Sequence, residues 1–587
     1  MTKPTSEQVT FLAAGAGATQ RTALDKLRDV VSVKDFGAVG DGVADDTAAF
    51  NAATAAVSAT QILVFPSGTY KTVGNVTLTV PVRLDGKIEM SAGSVLAFTK
   101  TVIADRLQIF VLGAGASVTF AAGTLEEVFP EWWGAVADGI TDCAVAIKQA
   151  NDSFGRVSFG SGVYATSPIK VGGMGKTWCG VQGNSGQQGS NRTIIRAITA
   201  STQNTVLQHQ GHWNLFENID FDGNAKTQFV VALTQLTLGT KFVRCSFLNP
   251  ITNNGICVFN TSTNAPNIAT VVNPGVSPTL QGDTVNFIDC LFASDGTGYG
   301  YFSEGSNAFL CNITRSVMQN LEYGVWLYGT GVYLDEVQFD VAAVLRISGG
   351  CQSTSITRCY CENNCSIISA INQLGGLPQN RLYMAHNYWN ATVTAQIPAG
   401  VHVVSINNYQ ADGYMSFLSP VGGHSWTEYG QNISIGDSIV WTGAAPLDLQ
   451  NLTVLGGMKT GIAQAAGGPN AIPYGNITPA MKHTGYIELV NAGSTPNYGN
   501  NRTVMLSNSA PQNVVGFVNN NNYLQFDRCE EIIVYGDSNT TLVHATTGPT
   551  PHIRLQGNTN VVLGSIKNIT LQRSGGGYVW KEIARTT

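Results

Sequence analysis

Residues 313–361 read ITRSVMQNLEYGVWLYGTGVYLDEVQFDVAAVLRISGGCQSTSITRCYC, and three six-residue strings inside them, ITRSVM (313–318), LDEVQF (334–339) and ITRCYC (356–361), recur at nearly even spacing. The same pattern extends to both sides as FENIDF (216–221), FVRCSF (242–247), FIDCLF (287–292) and LYMAHN (382–387). Most strings start a little over twenty positions after the one before, and the one wide gap, between 247 and 287, holds a Pro/Asn-rich insertion at 260–283. A second apolar run follows most strings: GICVF (255–259), YGYF (299–302), YGVWLY (323–328), AVLRI (343–347) and CSIIS (365–369). A period of twenty-odd residues built from short strands marks a β-solenoid, in which each coil buries its apolar face only by stacking on its neighbours.

Aligned, the strings form columns. The fourth holds Ile219, Cys245, Cys290, Ser316, Val337 and Cys359, and the sixth holds Phe221, Phe247, Phe292, Met318, Phe339 and Cys361. Both read as interior, which gives several cysteines the role of small apolar fillers. The two-residue period of a strand then turns the third, fifth and seventh columns outward. The third runs Arg244, Asp289, Arg315, Glu336, Arg358, an alternation of sign that stabilises neighbouring strands modestly.

A second repeat lies upstream. DFGAVGDGVADDTAAFNAA (35–53) and WWGAVADGITDCAVAIKQA (132–150) keep Gly37/Gly134, Asp41/Asp138, Gly42/Gly139 and Asp45/Asp142 in register. Each continues into a strand and turn, LVFPSGTYKT (63–72) and VSFGSGVYAT (157–166). The aspartates are expected to serve Asp-Gly turns and helix caps, and Trp132 and Trp133 to serve packing.

Composition agrees with turn-rich β structure. Of 587 residues, charged types make up 12% against a globular norm of about 25%, Gly numbers 65, and the net charge is −6. Dense charge is what a coiled coil, a disordered polyelectrolyte tail or a nucleic-acid binder requires, so these classes are excluded. No run approaches 18 apolar residues and the N-terminus lacks a signal-peptide pattern, so neither membrane insertion nor ordinary export is expected. Eleven cysteines, an odd number, argue against a disulfide framework. The cluster Cys351, Cys359, Cys361 and Cys365 lacks paired zinc-ligand spacing, and no metal or cofactor is expected.

The start DKLRDVVSVKDFGAVGDGVADDTAAF (25–50), the coils of about twenty residues and a separate β-rich C-terminus together resemble the tailspikes of tailed bacteriophages, capsule or O-antigen depolymerases of the pectate-lyase-like right-handed β-helix superfamily. The resemblance spans residues 20–430. It implies an all-β chain: an arm at 1–30, a β-rich cap at 31–130, a right-handed parallel β-helix at 131–430, and a sandwich-like domain at 431–587 for trimerisation or carbohydrate binding. It further implies a homotrimeric spike on the virion, held to a phage tail or baseplate protein by the N-terminal arm. Such a spike is assembled in the host cytoplasm and acts on polysaccharide at the bacterial cell surface.

Glycoside hydrolysis needs two carboxyl groups flanking one bond, one protonated and one ionised. The seventh column supplies them at Asp340 and Glu362 on successive coils, which stack at about 4.7–4.9 Å. Like charges so close favour keeping one protonated. Glu322, Asp295 and Glu304, at coil edges, are further candidates. Sugar faces stack on aromatic rings, which nominates Trp326, Tyr328, Tyr360, Trp213 and Trp389. Gln338, Arg358 and His386 are candidate polar contacts, whereas Glu336, flanked by arginines, is expected to stay ionised.

Two alternatives stand beside a hydrolase. A lyase would act on a uronic-acid polymer with a base such as His209, His212, His386 or His402. A receptor-binding adhesin would bind the glycan without cutting it.

Overall fold

The computed structural model describes residues 3–58, 61–181, 191–198, 205–234, 237–260, 282–304, 310–351, 353–362, 366–370, 380–389, 393–396, 401–406, 408–410, 415–418, 425–429, 432–433, 439–441, 454–455, 462–464, 487–490, 493–496, 503–517, 531–546, 552–574 and 579–586. The insertion at 261–281, the asparagines 519–522, and the side chains of Cys351, Cys365, Glu304 and His402 lie outside them. Two compact units divide the chain: 1–227 with 240–246, and 228–239 with 247–587.

In the first unit, parallel coils begin inside the segment read as a cap. Leu63–Phe65, Val82–Leu84 and Val102–Ala104 stack in one sheet, Thr69–Thr72, Lys87–Met90 and Phe110–Leu112 in a second, and Val76–Leu78, Val95–Phe98 and Ser117–Phe120 in a third. Each coil thus carries three short strands. Further on, Arg156–Ser158, Thr177–Cys179, Leu215–Glu217 and Lys241–Val243 stack in parallel. Alternate residues point inward and make an aromatic stack, Phe159 to Trp178 to Phe216 to Phe242, with ring centres 4.8–5.3 Å apart.

The duplicated motif is structural, as its turn chemistry requires. Asp41 accepts the Val43 and Ala44 amides at 2.8 Å, and Asp138 accepts those of Ile140 and Thr141 at 2.8 Å. Asp45 and Asp142 accept the Thr47 and Ala144 amides, each at 3.0 Å, at the starts of helices Thr47–Ala56 and Ala144–Ser153. Trp132 and Trp133 are buried against Phe110. The amides of Ala44 and Thr141 hold the Asp41 and Asp138 carboxyls below their usual range. A depressed folded value stabilises fully above the unfolded carboxyl pKa, about 3.9, and the contribution is lost as pH falls through the folded value. An Asp41→Asn, Asp138→Asn double variant should therefore melt below the parent at neutral pH, with the gap closing below about pH 4. Melting curves across that range check it, and a gap that widens in acid would contradict the assignment.

In the second unit one sheet stacks Asn286–Ile288, Cys311–Thr314, Val332–Asp335, Thr354–Thr357, Asn380–Ala385, Val401–Ile406, Ser425–Tyr429 and Val454–Leu455, all parallel. A second stacks Leu291–Ala293, Val317–Thr330, Gln338–Cys351, Tyr360–Cys361 and Tyr388–Trp389. The chain is a parallel β-helix, and the interior columns hold: from Cys290 to Cys359 and from Phe247 to Trp389 every member is buried. One cysteine departs from the filler role, because Cys361 is disulfide-bonded.

The third column is not a strand position. Asp289, Arg315, Glu336, Arg358 and His386 have φ of 46–57°, a left-handed corner of one residue between the two sheets. Asn218 and Arg244 make the same corner in the first unit, at 59° and 51°. In the second unit each corner amide still donates to the next coil, as Arg315 N does to Asp335 O at 3.0 Å and Glu336 N to Thr357 O at 3.1 Å. The ladder hydrogen bond offsets the cost of the left-handed backbone. Opposite charges do meet along this edge: Arg315 Nε stands 2.8 Å from Asp289 and Arg358 Nε 3.4 Å from Glu336.

Strand pairing also corrects the register of LYMAHN. Ile356 pairs with Met384 and Tyr360 with Tyr388, so His386 stacks below Arg358 in the third column and Tyr388 takes the fifth position. Beyond 431 the strings fade but the coils do not. Met415 pairs with Ile439, Ile439 with Ile462 and Ile462 with Ile487, so the coil length barely changes. The chain closes with a sandwich-like layer. Glu531–Gly536, Asn568–Ser574 and Val579–Thr586 pair antiparallel, Gln512–Val514, Thr540–Leu542 and Val561–Val562 form a second small sheet, and both enclose one core that includes Val534, Leu542, Leu563 and Trp580.

Candidate active site on the outer face of the second unit

The outward columns become accessible only part way along the coils. Asp220 and Asp222, in the first unit, point away from the core yet are buried, paired with Arg192 at 2.7 Å and Arg196 at 2.8 Å. From Val317 onward the fifth column opens to solvent. Gln338, Tyr360 and Tyr388 are in register on three successive coils, and the two tyrosine rings stack at 5.3 Å and 21°. Tyr388, absent from the fifth column by the sequence alignment, is 37% exposed. Two residues along each strand, on the same face, stand Asp340 and Glu362, both half-buried. Asp340 pairs with Gln319, and Glu362 N donates to Phe339 O at 2.8 Å, which puts the two carboxylates on neighbouring strands of one ladder.

A bulge then turns the chain. The register of Val317–Thr330 against Gln338–Cys351 shifts between Gln319 and Leu321, and Asn320 takes φ 52°. The shift swings Glu322 to the outer edge, its amide donating to Gly298 O at 2.9 Å. Gly300 sits in the same bend, where a Cβ would stand 2.6 Å from the Gly324 carbonyl oxygen. Past it Tyr299 and Tyr323 stack at 5.5 Å, and Arg346 lies over both rings and over Trp326.

Other candidates fall elsewhere. Trp326, 6% exposed, packs on Phe302 at 4.5 Å and Tyr299 at 5.0 Å, so it supports the aromatic cluster rather than lining an open groove. Half-buried Tyr328 packs on that cluster, and Trp389 is wholly buried. Asp295 is exposed and accepts the Thr297 hydroxyl at 2.7 Å and its amide at 3.2 Å; these bonds hold it ionised as a turn cap. Glu304 pairs with Tyr328 in the ladder. Arg358 is bound to Asp335 and Glu336, and His386 is an exposed corner residue. Trp213, 61% exposed, belongs to the first unit. His209 is buried on Asn214 and Thr240, and burial pushes its imidazole down to about 3, so it stays neutral and away from any external substrate.

Arg346 is a candidate that the columns missed. Its one signal was an isolated arginine in the apolar run AVLRI (343–347), and no spacing rule distinguishes that from a solvated edge.

Comparison with known proteins finds similarity to one family over part of the chain. Residues 30–103 match the model of the rhamnogalacturonase A/epimerase, pectate lyase-like family. No curated protein matches the chain. Among solved structures, the tailspike of Escherichia coli bacteriophage HK620 is 11% identical, covering 92% of this chain and 84% of its own, with a TM-score of 0.30. The tailspike gp49 of Pseudomonas phage LKA1 is 12% identical, covering 75% and 84%, at 0.26. The catalytic unit of an α-1,3-glucanase from Streptomyces thermodiastaticus is 13% identical, covering 81% and 73%, at 0.25. The fold assignment rests on this chain's own strand pairing.

Proposed function

We propose that this protein is a phage tailspike that binds a bacterial surface polysaccharide, capsule or O-antigen, and cleaves it by endo-glycosidic hydrolysis, with Asp340 and Glu362 as the carboxyl pair. The observation that carries the reading is their placement on adjacent strands of an outward ladder, beside the stacked Tyr360 and Tyr388 rings. The tyrosines offer flat faces for sugar rings, and the carboxyls stand along the same strands where a glycosidic oxygen would lie. Strand spacing of about 4.7–4.9 Å is near the carboxyl separation of retaining glycosidases, about 5–5.5 Å, so retention is the expected stereochemistry. Glu322, swung out by the bulge, is positioned to assist at the bend. The segment 1–30 serves as the virion-proximal arm and the C-terminal layer in trimer assembly.

The deciding experiment incubates the protein with purified capsule or O-antigen and analyses the products. Saturated oligosaccharides with new reducing ends support hydrolysis. Products absorbing in the ultraviolet as unsaturated uronates would assign a lyase, and unshortened but bound polymer an adhesin. Tyr388→Ala should weaken oligosaccharide binding about three- to tenfold in calorimetry, the loss of one stacking face. Unchanged affinity would remove the tyrosines from the site.

A further inference from the structure

Arg346 is a cation held on an aromatic platform without a carboxylate partner among the described residues. The ladder sets Phe302 beside Trp326 and Trp326 beside Arg346, so a buried aromatic column ends on a half-buried guanidinium. Its central carbon lies 4.1 Å from the Trp326 ring, 4.7 Å from Tyr323 and 5.6 Å from Tyr299. Nη1 donates to the Tyr299 hydroxyl at 2.9 Å, and that hydroxyl is 3.2 Å from Asn254 Oδ1. Nε is buried and unpartnered. The contrast with Arg315, Arg358 and Arg585 is plain, since each of these faces a carboxylate.

The rings fix the guanidinium and strip water from one side of it, and a partly desolvated charge with no counter-ion is costly. The planar fork of arginine matches a carboxylate through two parallel hydrogen bonds, which a lysine cannot reproduce. Asp340 stands before the bulge and Arg346 past it on the same strand, so the carboxylates and the guanidinium are set apart and an anionic ligand gains where its charge meets Arg346. Half-buried Tyr323 and Tyr328 supply sugar-sized apolar surface beside it.

We propose that Arg346 is the residue that selects the substrate, and that the sugar seated on its platform carries a carboxylate, as a uronic or ulosonic acid does. This rests on the polysaccharide reading above and adds the substrate class.

The test measures binding of the full chain to acidic polymers (polygalacturonate, alginate, hyaluronate, polysialic acid), to the same polymers after chemical reduction of their carboxylates, and to neutral dextran and mannan. The expected result is binding to at least one acidic polymer that falls tenfold or more on carboxyl reduction. Arg346→Gln should lose a similar factor on the native polymer and nothing further on the reduced one, while Arg346→Lys recovers only part. Arg83→Gln, which removes a charge paired with Asp85 in the first unit, should bind as the parent does. If Arg346→Gln fails to fold, the reduction series and Arg346→Lys carry the test. Equal losses for Arg346→Gln on native and reduced polymer would make Arg346 a support for the rings and overturn the proposal. Binding of neutral polymers alone overturns it while leaving the polysaccharide reading intact, and binding of no polymer removes both.

Discussion

Asp340→Asn and Glu362→Gln are each expected to lower the depolymerisation rate by about 10²–10⁴-fold, the range spanned by general acid–base groups. Both changes keep shape and hydrogen-bonding capacity and remove only the ability to carry a proton or a charge. Binding of the intact polysaccharide and the melting temperature should stay near those of the parent. Reducing-end release measured beside affinity separates the two effects. Full activity in both variants would remove the pair from the chemistry and leave Glu322 as the next carboxyl to test. Loss of binding together with rate would mean that the residues hold the glycan rather than cleave it.

Phe287→Ala should destabilise the second unit by about 3–5 kcal/mol, the cost of deleting a fully enclosed ring. Phe287 is wholly buried and its ring lies 5.4 Å from Phe292 and 5.7 Å from both Phe247 and Tyr301. In a stacked coil that ring is a rung shared with the neighbours above and below, so the cavity weakens three coils at once. Chemical denaturation of the variant measures the loss. A cost near that of a surface substitution, about 0.5 kcal/mol or less, would mean the coils close over the gap.

The interior was legible because burial repeats with the backbone. Each coil must place an apolar side chain against those above and below it, so Phe247, Phe292, Met318 and Phe339 align in sequence as they do in space. The corner was not legible. Arg315, Glu336 and Arg358 are spaced as strand residues would be, and only their positive φ reveals a turn; charge is acceptable in either setting. LYMAHN also starts two positions early against ITRCYC, because Ile356 pairs with Met384, and this moves His386 to the corner and brings Tyr388 to the fifth column. Coils past 431 were missed for the opposite reason, because main-chain pairing persists from Met415 through Ile439 and Ile462 to Ile487 with no recurring side-chain signature.

Sequence by itself determined the β-helix, the structural role of the duplicated aspartates and the column that carries Asp340 and Glu362. These follow from nearest-neighbour stacking and local turn chemistry, which repeat along the chain and so leave a period in it. Tertiary structure alone decided which outward positions stay open, burying Asp220 and Asp222 under arginines, exposing Gln338 and Tyr388 and leaving Tyr360 half-buried between them. It also decided that Trp326 turns into the aromatic cluster and that Arg346 closes it. Accessibility and ring packing depend on residues tens of positions apart whose meeting no local period encodes.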